Sequence, residues 1–306
     1  MADPLDRYLQ EKREMVERRL RQALALEEGT PPALVEAMCH SLLAPGKRLR
    51  PLLVIMAAEA CGGRDEEALP AACAVEMVHA YSLVHDDLPA MDNDDLRRGL
   101  PTCHKKFGEA MAILAGDALL TLAFEVLSRS YPPRTAAGCC YELAKGAGAA
   151  GMVGGQVEDL AREKGQAQPG APPQSLDALE NVHARKTGAL FRASLRLGAW
   201  VAGRESPDGP EAHRLQALEV YGRCFGLAFQ ITDDLLDVEG DARQTGKRVQ
   251  KDAARGKLTY PGLLGIEESR RRAEQLCETA CRQLRDFGPA GDRLAALARS
   301  IVARKH

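Results

Sequence analysis

The sequence predicts an all-α protein, and three observations support this fold class. Only 4% of the 306 residues are aromatic while 45% are hydrophobic, with abundant Ala, Leu, Glu and Arg, which favour helix over strand. Long windows contain no proline, and apolar residues recur within them three and four positions apart, as at Leu114, Ala118, Leu122 and Val126. The period-two alternation typical of strands is not sustained anywhere in the sequence. We therefore expect one large helical domain over residues 1–306.

The helices of this domain are predicted from the positions where proline and glycine interrupt the chain. The windows 102–131, 134–168 and 211–260 lack proline and can each hold a long helix, because proline inside a helix costs about 3 kcal/mol. Loops are expected at 29–32, 62–65, 89–101, 131–134, 165–174, 203–210 and 287–291, which leaves roughly a dozen helices. Ser175 is placed to cap the next helix, so the proline-rich stretch 165–174 is predicted to be a poorly ordered surface excursion.

Charge and cysteine content exclude several classes of protein. The 41 basic and 43 acidic residues give a net charge of −2, far from the basic excess of a general nucleic-acid binder. Charged side chains fill the first 28 residues, and the best apolar run, Leu52–Ala58, is much shorter than the ~20 residues that cross a bilayer. The nine cysteines show no C-x-x-C spacing. We expect a cytoplasmic protein with reduced thiols and neither membrane insertion nor a nucleic-acid partner.

One glycine-rich stretch imitates a dinucleotide-binding motif. Gly146–Gly151 has the spacing G-x-G-x-x-G, but that motif must follow a strand and open a helix. The residues before Gly146 are helical in pattern. We therefore interpret these small residues as a place where two helices approach each other closely.

The first of two acidic segments runs from His85 to Gly99. On a helix that ends before Pro89, Asp86 shares a face with Ser82 one turn back and with His79 two turns back. Asp92 can then fold round towards Asp86. Taken alone, such a segment could also be a solvated helix end.

The second acidic segment lies about 150 residues later. Gln230, Asp233, Asp234 and Asp237 are spaced i, i+3, i+4 and i+7, which predicts a single polar stripe on one helix. Like charges 4 Å apart repel by about 1 kcal/mol in water and about 4 kcal/mol at an effective dielectric of 20, so a neutralising group is expected. Carboxylates that do not form a complete cage suit Mg²⁺, which usually bridges carboxylates to a substrate phosphate.

Basic residues in several predicted loops and helix ends supply the opposite charge. Lysine and arginine in such places are what anchors phosphate groups. The segments are Gly46–Pro51, Arg97–Arg98, His183–Gly188, Gly246–Arg248 and Gly256–Lys257. Acidic and basic segments together predict a site for a diphosphate and its metal ions.

With these motifs in the order in which they occur, the sequence resembles the all-trans polyprenyl diphosphate synthases, and among them the bacterial farnesyl diphosphate synthases. The likeness extends from about Val35 to about Leu264. It rests on G-K-R-x-R-P at 46–51, D-D-x-x-x-x-D at 86–92, K-T-G at 186–188 and D-D-x-x-D at 233–237. The resemblance implies an isoprenoid-synthase bundle of helices around a deep central cavity, a homodimer, and three Mg²⁺ ions at the cavity mouth.

The resemblance also implies a role for each matching residue. Asp86 and Asp92, assisted by Asp87, and Asp233 would hold the Mg²⁺ ions. The residues that would grip the allylic diphosphate are Arg97, Lys186, Lys247 and Lys257. Those that would bind isopentenyl diphosphate are Lys47, Arg50, His79 and Arg98. Lys186, Thr187 and Gln230 would be catalytic, with Thr187 and Gln230 near the developing carbocation.

The length of the product is expected to depend on the residues just before the first acidic segment. Tyr81 lies five residues before Asp86, about 7.5 Å back along a helix. In the family that this sequence resembles, a bulky aromatic at this position forms the closed end of a pocket for a C15 chain, and Ser82 lies beside it in sequence. The resemblance therefore implies that the chain makes farnesyl diphosphate from isopentenyl, dimethylallyl and geranyl diphosphates.

Three different functions stay open on the sequence. A geranyl or geranylgeranyl diphosphate synthase would carry the same motifs. A terpene cyclase would also use acidic motifs on a helical bundle, but it binds one diphosphate and leaves Lys47, Arg50 and Arg98 without a task. The third is a helical protein that binds divalent metal without catalysis.

Overall fold

The computed structural model describes residues 4–163, 175–206, 208–239 and 258–304. Its regular structure is almost entirely helical, which confirms the all-α prediction. The α-helices in these ranges are α1 (Pro4–Ala23), α2 (Pro32–Leu42), α3 (Leu49–Ala60), α4 (Asp65–Asp86), α5 (Cys103–Phe107), α6 (Glu109–Ser130), α7 (Pro133–Ala147), α8 (Met152–Glu163), α9 (Leu176–Lys186), α10 (Gly188–Ala202), α11 (Ala212–Glu239), α12 (Tyr260–Leu264), α13 (Ile266–Gln283) and α14 (Asp292–Val302). A short 3₁₀-helix covers Arg285–Gly291, and β1 (Leu96–Arg97) pairs with β2 (Leu100–Pro101) in an antiparallel hairpin.

The chain divides into two compact units. The first comprises Met1–Tyr141 and Leu197–Pro210, and the second comprises Glu142–Arg196 and Glu211–His306. The single domain over residues 1–306 expected from the sequence stays a prediction.

The core of the first unit is built on α3 and α4. Residues 51–58 of α3 are all buried, which identifies the most apolar run of the sequence as a core helix. The end of α10 reaches the α3 backbone at Gly198, where an added Cβ would lie 2.3 Å from the carbonyl oxygen of Val54. Glycine at position 198 therefore permits a contact that any side chain would prevent.

Helix α4 contains a proline and is nevertheless continuous from Asp65 to Asp86. Pro70 lacks the N–H that a helix interior needs. The hydroxyl of Tyr131 repairs the ladder one residue later: it donates to the carbonyl of Glu67 at 2.8 Å and accepts from the N–H of Ala71 at 3.1 Å. A side-chain hydroxyl thus replaces a helical hydrogen bond and keeps α4 in one piece.

Helix α6 is unusually apolar. In the part of the chain that the structure describes, it is the one helix whose length and composition would allow it to cross a membrane, although the sequence pointed to Leu52–Ala58 as the best apolar run. In the structure α6 packs against α4, and 44% of its most apolar window is buried. Core helices of soluble proteins meet the same length and composition criteria, so α6 alone is weak evidence for membrane insertion.

The second unit is organised around α11, which packs on α13. Fully buried Tyr221 donates from its hydroxyl to the carbonyl of Leu294 at 2.8 Å, and the rings of Phe191 and Phe225 meet edge to face at 5.3 Å. A Cβ at Gly146 would lie 2.6 Å from the Cβ of Ala193. The interpretation of Gly146–Gly151 as a place of close helix approach is thus confirmed.

Most predicted loops lie between helices in the structure. The Oγ of Ser175 accepts a hydrogen bond from the N–H of Ala178 at 3.3 Å, as expected of an N-cap. The proline-rich stretch 165–174 lies outside the described residues. The loop between α2 and α3 was not among the predicted loops. It ends at Arg48, which has a left-handed backbone with φ of 51°.

Candidate active site

The first acidic segment forms a turn at the end of α4. Asp86 is the last residue of the helix, and the N–H of Asp92 donates to the carbonyl oxygen of Asp86 at 2.8 Å. Asn93, with φ of 51°, takes the left-handed conformation that the reversal requires. The chain therefore folds Asp92 back beside Asp86, as the sequence predicts, and leaves both residues half-exposed.

Asp87 points into a different set of contacts. It is only 3% exposed, and its carboxylate accepts hydrogen bonds from Nε of Arg97 at 3.0 Å and from Nη2 of Arg97 at 2.5 Å. Burial raises the pKa of Asp87, while Arg97 opposes the shift. In this arrangement Asp87 orients Arg97, and its expected part in metal binding stays a prediction.

A tight hairpin presents Arg97 and Arg98. Arg98 and Gly99 form its two-residue turn with φ of 54° and 79°, both positive as such a turn requires. The hairpin is fastened to α2, because the Nε2 of His40 lies 2.8 Å from the carbonyl oxygen of Pro101. The two arginines are therefore held by a structured ribbon.

The loop between α2 and α3 supports Arg98. The Nη1 of Arg98 donates to the carbonyl of Ala44 at 3.3 Å, and the guanidinium lies directly over Gly46, where an added Cβ would be 2.5 Å from Nη1. Gly46, the first residue of the G-K-R-x-R-P motif, is thus needed for the close approach of an arginine.

Arg48 anchors the same loop from inside. Its guanidinium, with a side chain 1% exposed, donates to Glu17 at 2.6 Å, to Glu76 at 2.7 Å and to the carbonyl of Ala44 at 2.9 Å. Removing one partner of such a buried pair is strongly destabilising. The motif alone did not reveal this anchoring role of Arg48. The two predicted substrate-binding residues near it in sequence are Lys47, which is exposed, and Arg50, which is half-buried.

The basic residues of the first unit converge on His79. Burial lowers the pKa of His79 well below its usual value, and the guanidinium charges of Arg50 and Arg98, then of Arg48 and Arg97, lower it further. Positive charge near this imidazole favours an anion, and two of the four arginines, Arg48 and Arg97, also pair with the carboxylates of Glu76 and Asp87. The sequence-predicted binding residues Arg50, His79, Arg97 and Arg98 are therefore brought together.

In the second unit the K-T-G segment joins the end of α9 to the start of α10, and α8 holds its lysine. Lys186 donates to Asp159 at 2.5 Å, and Arg185 donates to Glu158 at 2.6 Å. Gly155 permits this approach, because its Cβ would lie 2.3 Å from the backbone nitrogen of Lys186. Gly155 and Asp159 were not predicted from the sequence, where the signal was a Gly-Gly pair followed by two acids on one predicted helix.

The acidic stripe of α11 is divided in the structure. Asp233 is exposed, whereas Asp234 is 4% exposed and accepts hydrogen bonds from Gln230 and from the backbone of Tyr260. Asp234 therefore lies on the predicted stripe but is turned into the protein, in contact with Gln230 and Tyr260. Near the end of the described chain, burial lowers the pKa of Arg304 and the carboxylate of Asp233 counteracts this, so Arg304 brings positive charge near Asp233.

The two residues expected to set product length lie on α4. Tyr81 is 8% exposed, and its ring meets His85 edge to face at 5.7 Å. Burial raises the pKa of Tyr81, and the negative charge of Asp86 raises it further, so the phenol interacts electrostatically with the acidic end of the helix. Ser82 is half-buried and donates to the carbonyl of His79 at 2.9 Å. Lys247 and Lys257 lie outside the described residues.

The donor atoms of the acidic segments fit Mg²⁺. Among the residues described, no group of three or more His, Cys, Asp or Glu side chains could hold a metal by itself. Asp86, Asp92 and Asp233 offer hard oxygen atoms and are half-exposed or exposed. Mg²⁺ commonly binds to one or two carboxylates and completes its octahedron with water and phosphate oxygens, which is what these residues allow.

Comparisons with known proteins agree with this geometry. A family model for polyprenyl synthetases matches residues 31–287. The farnesyl diphosphate synthase of Escherichia coli (strain K12) is 48% identical over 284 residues, covering 90% of this chain and 90% of that protein. The heterodimeric geranylgeranyl pyrophosphate synthase large subunit 1, chloroplastic, of Arabidopsis thaliana is 45% identical over 307 residues, covering 98% of this chain and 79% of that protein.

A solved structure shows the same fold. The crystal structure of an FPP/GFPP synthase from Zymomonas mobilis in its apo form superposes with a TM-score of 0.84 at 40% sequence identity. The match covers 99% of this chain and all of that one. The family model spans most of the sequence, and the relatives are similar along nearly all of it. The chain therefore belongs to the polyprenyl synthetase family of prenyltransferases.

Proposed function

We propose that the protein condenses isopentenyl diphosphate first with dimethylallyl diphosphate and then with geranyl diphosphate, and releases farnesyl diphosphate. Enzymes of this family use isopentenyl and allylic diphosphates, generally with Mg²⁺. The observation that carries the proposal is the first unit's combination of an acidic turn, Asp86 with Asp92, and a basic cluster around His79. The turn suits a metal-bound diphosphate, and the cluster suits a diphosphate without metal.

The allylic diphosphate is the leaving group. Asp86, Asp92 and Asp233 would hold three Mg²⁺ ions, which when bound stabilise the negative charge that develops on this group. Arg97, oriented by Asp87, and Lys186, oriented by Asp159, add fixed positive charge to the same oxygens. Lys247 and Lys257 are proposed to join them on the strength of their motif positions.

The second substrate, isopentenyl diphosphate, is assigned to the basic cluster. Lys47, Arg50 and Arg98 supply charge, and His79 can hydrogen-bond as a neutral imidazole. The double bond of isopentenyl diphosphate attacks the allylic cation, so no protein nucleophile is needed. Thr187 and Gln230 turn oxygen atoms towards the positive charge, and the released pyrophosphate takes the proton.

Product length is proposed to depend on Tyr81. Its buried ring on α4, within the electrostatic influence of Asp86, supports a floor for a C15 chain. The relatives include farnesyl and geranylgeranyl diphosphate synthases at 48% and 45% identity, so a geranylgeranyl product is the second candidate.

Analysis of product length tests the proposal. Purified protein with isopentenyl and dimethylallyl diphosphates and Mg²⁺ should yield mainly C15 diphosphate. Tyr81→Ala should lengthen the product to C20 or beyond, while Tyr81→Phe, which keeps the ring, should retain C15. A C20 product from the parent protein, or an unchanged product from Tyr81→Ala, would remove Tyr81 as the determinant of length.

Two further assays distinguish the proposed synthase from a terpene cyclase and from a metal-binding protein without catalysis. A terpene cyclase would convert farnesyl diphosphate alone to a hydrocarbon, whereas we expect none. A metal-binding protein would take up Mg²⁺ regardless of other ligands. We expect weak Mg²⁺ binding in calorimetry until a diphosphate is added.

A further inference from the structure

We propose that Asp234 is a positioning residue that fixes the amide of Gln230 with its carbonyl oxygen turned towards Thr187, where the proposed reaction develops positive charge. The inference rests on the proposed function and concerns an aspartate that sequence spacing placed on one polar stripe with its acidic neighbours. Its contacts in the structure point elsewhere.

Asp234 differs from Asp233 in burial and in partners. Both of its carboxylate oxygens accept hydrogen bonds within the second unit: Oδ1 from the Nε2 of Gln230 at 2.9 Å, and Oδ2 from the backbone N–H of Tyr260 at 3.0 Å. A carboxylate that is 4% exposed is costly to bury unless such bonds compensate it. The bonds direct Asp234 into the protein, whereas Asp233 is exposed.

The first of these bonds decides which way the Gln230 amide faces. A carboxylate is an acceptor only, so the NH₂ end of the amide must point towards Asp234. The carbonyl oxygen then lies at the opposite end, where the hydroxyl of Thr187 approaches it at 3.5 Å. An amide oxygen stabilises a nearby cation, whereas an amide NH₂ would repel it. The orientation set by Asp234 therefore turns the favourable end towards Thr187, where the proposed reaction would develop positive charge.

The second bond fastens Asp234 itself. Tyr260 begins α12, and its ring stacks on the ring of His183 of α9, with centroids 5.7 Å apart. His183 lies one helical turn before Thr187. Asp234 thus connects α11 to α12, and Tyr260 connects α12 to α9. Gln230 and Thr187, which come from different helices, are held in register by this chain of contacts.

The test compares Asp234→Asn with a compensating double variant. The amide introduced by Asp234→Asn can donate to the carbonyl oxygen of Gln230 and so allows the Gln230 amide to turn round. We expect kcat to fall about 10- to 100-fold, with KM for both substrates and the half-saturating Mg²⁺ concentration within about threefold of the parent values. In Asp234→Asn/Gln230→Glu, one oxygen of the new carboxylate accepts from the introduced amide and the other faces Thr187, so kcat should recover at least tenfold.

Two outcomes would overturn the inference. A kcat of Asp234→Asn within twofold of the parent value would show that amide orientation is unimportant. A loss that the double variant does not restore, or one accompanied by a more than tenfold rise in the Mg²⁺ requirement, would assign Asp234 to the metal site. Asp177→Asn, the same change at an exposed aspartate in the first turn of α9, should leave kcat unchanged and is the control.

A spectroscopic readout separates this inference from the proposed function. In the parent protein one side-chain amide proton of Gln230, identified by its loss in Gln230→Glu, should resonate downfield and exchange slowly. Asp234→Asn should abolish both properties. An inactive parent protein would refute the proposed function, whereas an ordinary, fast-exchanging Gln230 amide would refute the positioning role whether or not the protein is active.

Discussion

Gly46 shows how a missing side chain can shape an anion site. The guanidinium of Arg98 rests over its Cα, so Gly46→Ala would push the flexible end of Arg98 aside while leaving the loop in place. We expect KM for isopentenyl diphosphate to rise about tenfold, in line with the loss of one charge-assisted hydrogen bond, with little change in Tm. Steady-state kinetics and a thermal melt measure both.

A double-mutant cycle supplies the control for Gly46→Ala. If the substitution acts through Arg98, it should have no further effect in an Arg98→Ala background. Equal effects of Gly46→Ala in both backgrounds would contradict this explanation and point to distortion of the loop itself.

His79 gives a prediction with a defined pH sign. Its pKa in the folded protein is well below the usual value, so the unfolded chain binds the proton more tightly. Any stability that neutral His79 contributes is fully present above about pH 6.5 and is lost as pH falls towards the folded pKa. NMR titration should find His79 neutral at pH 6.5, and added pyrophosphate should raise its pKa by offsetting the arginine charges.

The matched variant for this experiment is His79→Gln, which should flatten the pH dependence of the free energy of unfolding below about pH 6.5. An ordinary His79 pKa in the free protein, or no change with pyrophosphate, would contradict the anion site described above.

Single residues also show where reading the sequence stops. Charge type and spacing selected Asp86, Asp92, Arg98 and Lys186 as candidates, because metal and phosphate binding demand those groups. The same reasoning could not separate Asp233 from Asp234, since adjacent aspartates differ only in which one the fold buries. The roles of Arg48 and Asp159 also arise from contacts with residues distant in sequence.

Among the helices, α4 allows a direct test of the repair at Pro70. Tyr131→Phe removes the hydroxyl that serves Glu67 and Ala71, and leaves two buried backbone groups without this partner. We expect the free energy of unfolding to fall by about 1–3 kcal/mol, measured by urea denaturation. Product length should be unchanged, because the groups that the hydroxyl bridges, at Glu67 and Ala71, lie nearly three turns or more before Tyr81 on α4.

Tyr221→Phe is the comparison for this variant. It also removes a buried hydroxyl, which donates to the carbonyl of Leu294 near the start of α14. Unlike the hydroxyl of Tyr131, this hydroxyl does not bridge two backbone groups of one helix. A loss in Tyr131→Phe no larger than experimental error would show that α4 tolerates Pro70 unaided.

The boundaries of the helices were more predictable than the burial of the side chains on them. Proline-free windows located α6, α7 and α11, and glycine and proline clusters located most of the loops. Leu114 was assigned to an apolar stripe, but it is 55% exposed, because the pattern of a helix does not reveal which neighbours cover it. The break at 43–48 was missed since its left-handed residue is an arginine, where glycine is usual.

For the whole molecule, composition and periodicity were sufficient to predict the all-α class, and ordered motifs were sufficient to predict the family. Product length is less accessible, since relatives of both product classes are almost equally similar. We expect it to depend on the shape of a pocket rather than on the motifs that all members share.

The proposed homodimer can be tested on the surface of α6. Ile113 and Leu114 are adjacent and 44% and 55% exposed, which makes them an apolar area without cover in the described chain. We expect light scattering to give twice the mass of the 33.1 kDa chain, and Ile113→Glu/Leu114→Glu to shift it towards the monomer. Val153→Glu, on α8, is the control for added charge at another exposed apolar side chain.

A monomeric parent protein would refute the homodimer. A double variant that stays dimeric would move the proposed interface away from α6 and leave the homodimer in place.

The backbone bond between Asp92 and Asp86 sets a limit on insertions and deletions. Because the turn is already closed by this bond, the intervening stretch acts as a spacer of fixed length. Lengthening or shortening it by one residue would rotate Asp92 away from Asp86, even though every chemical group of the motif would still be there. Substitutions at positions 88–91 of the spacer should consequently be tolerated far better than any change in its number of residues.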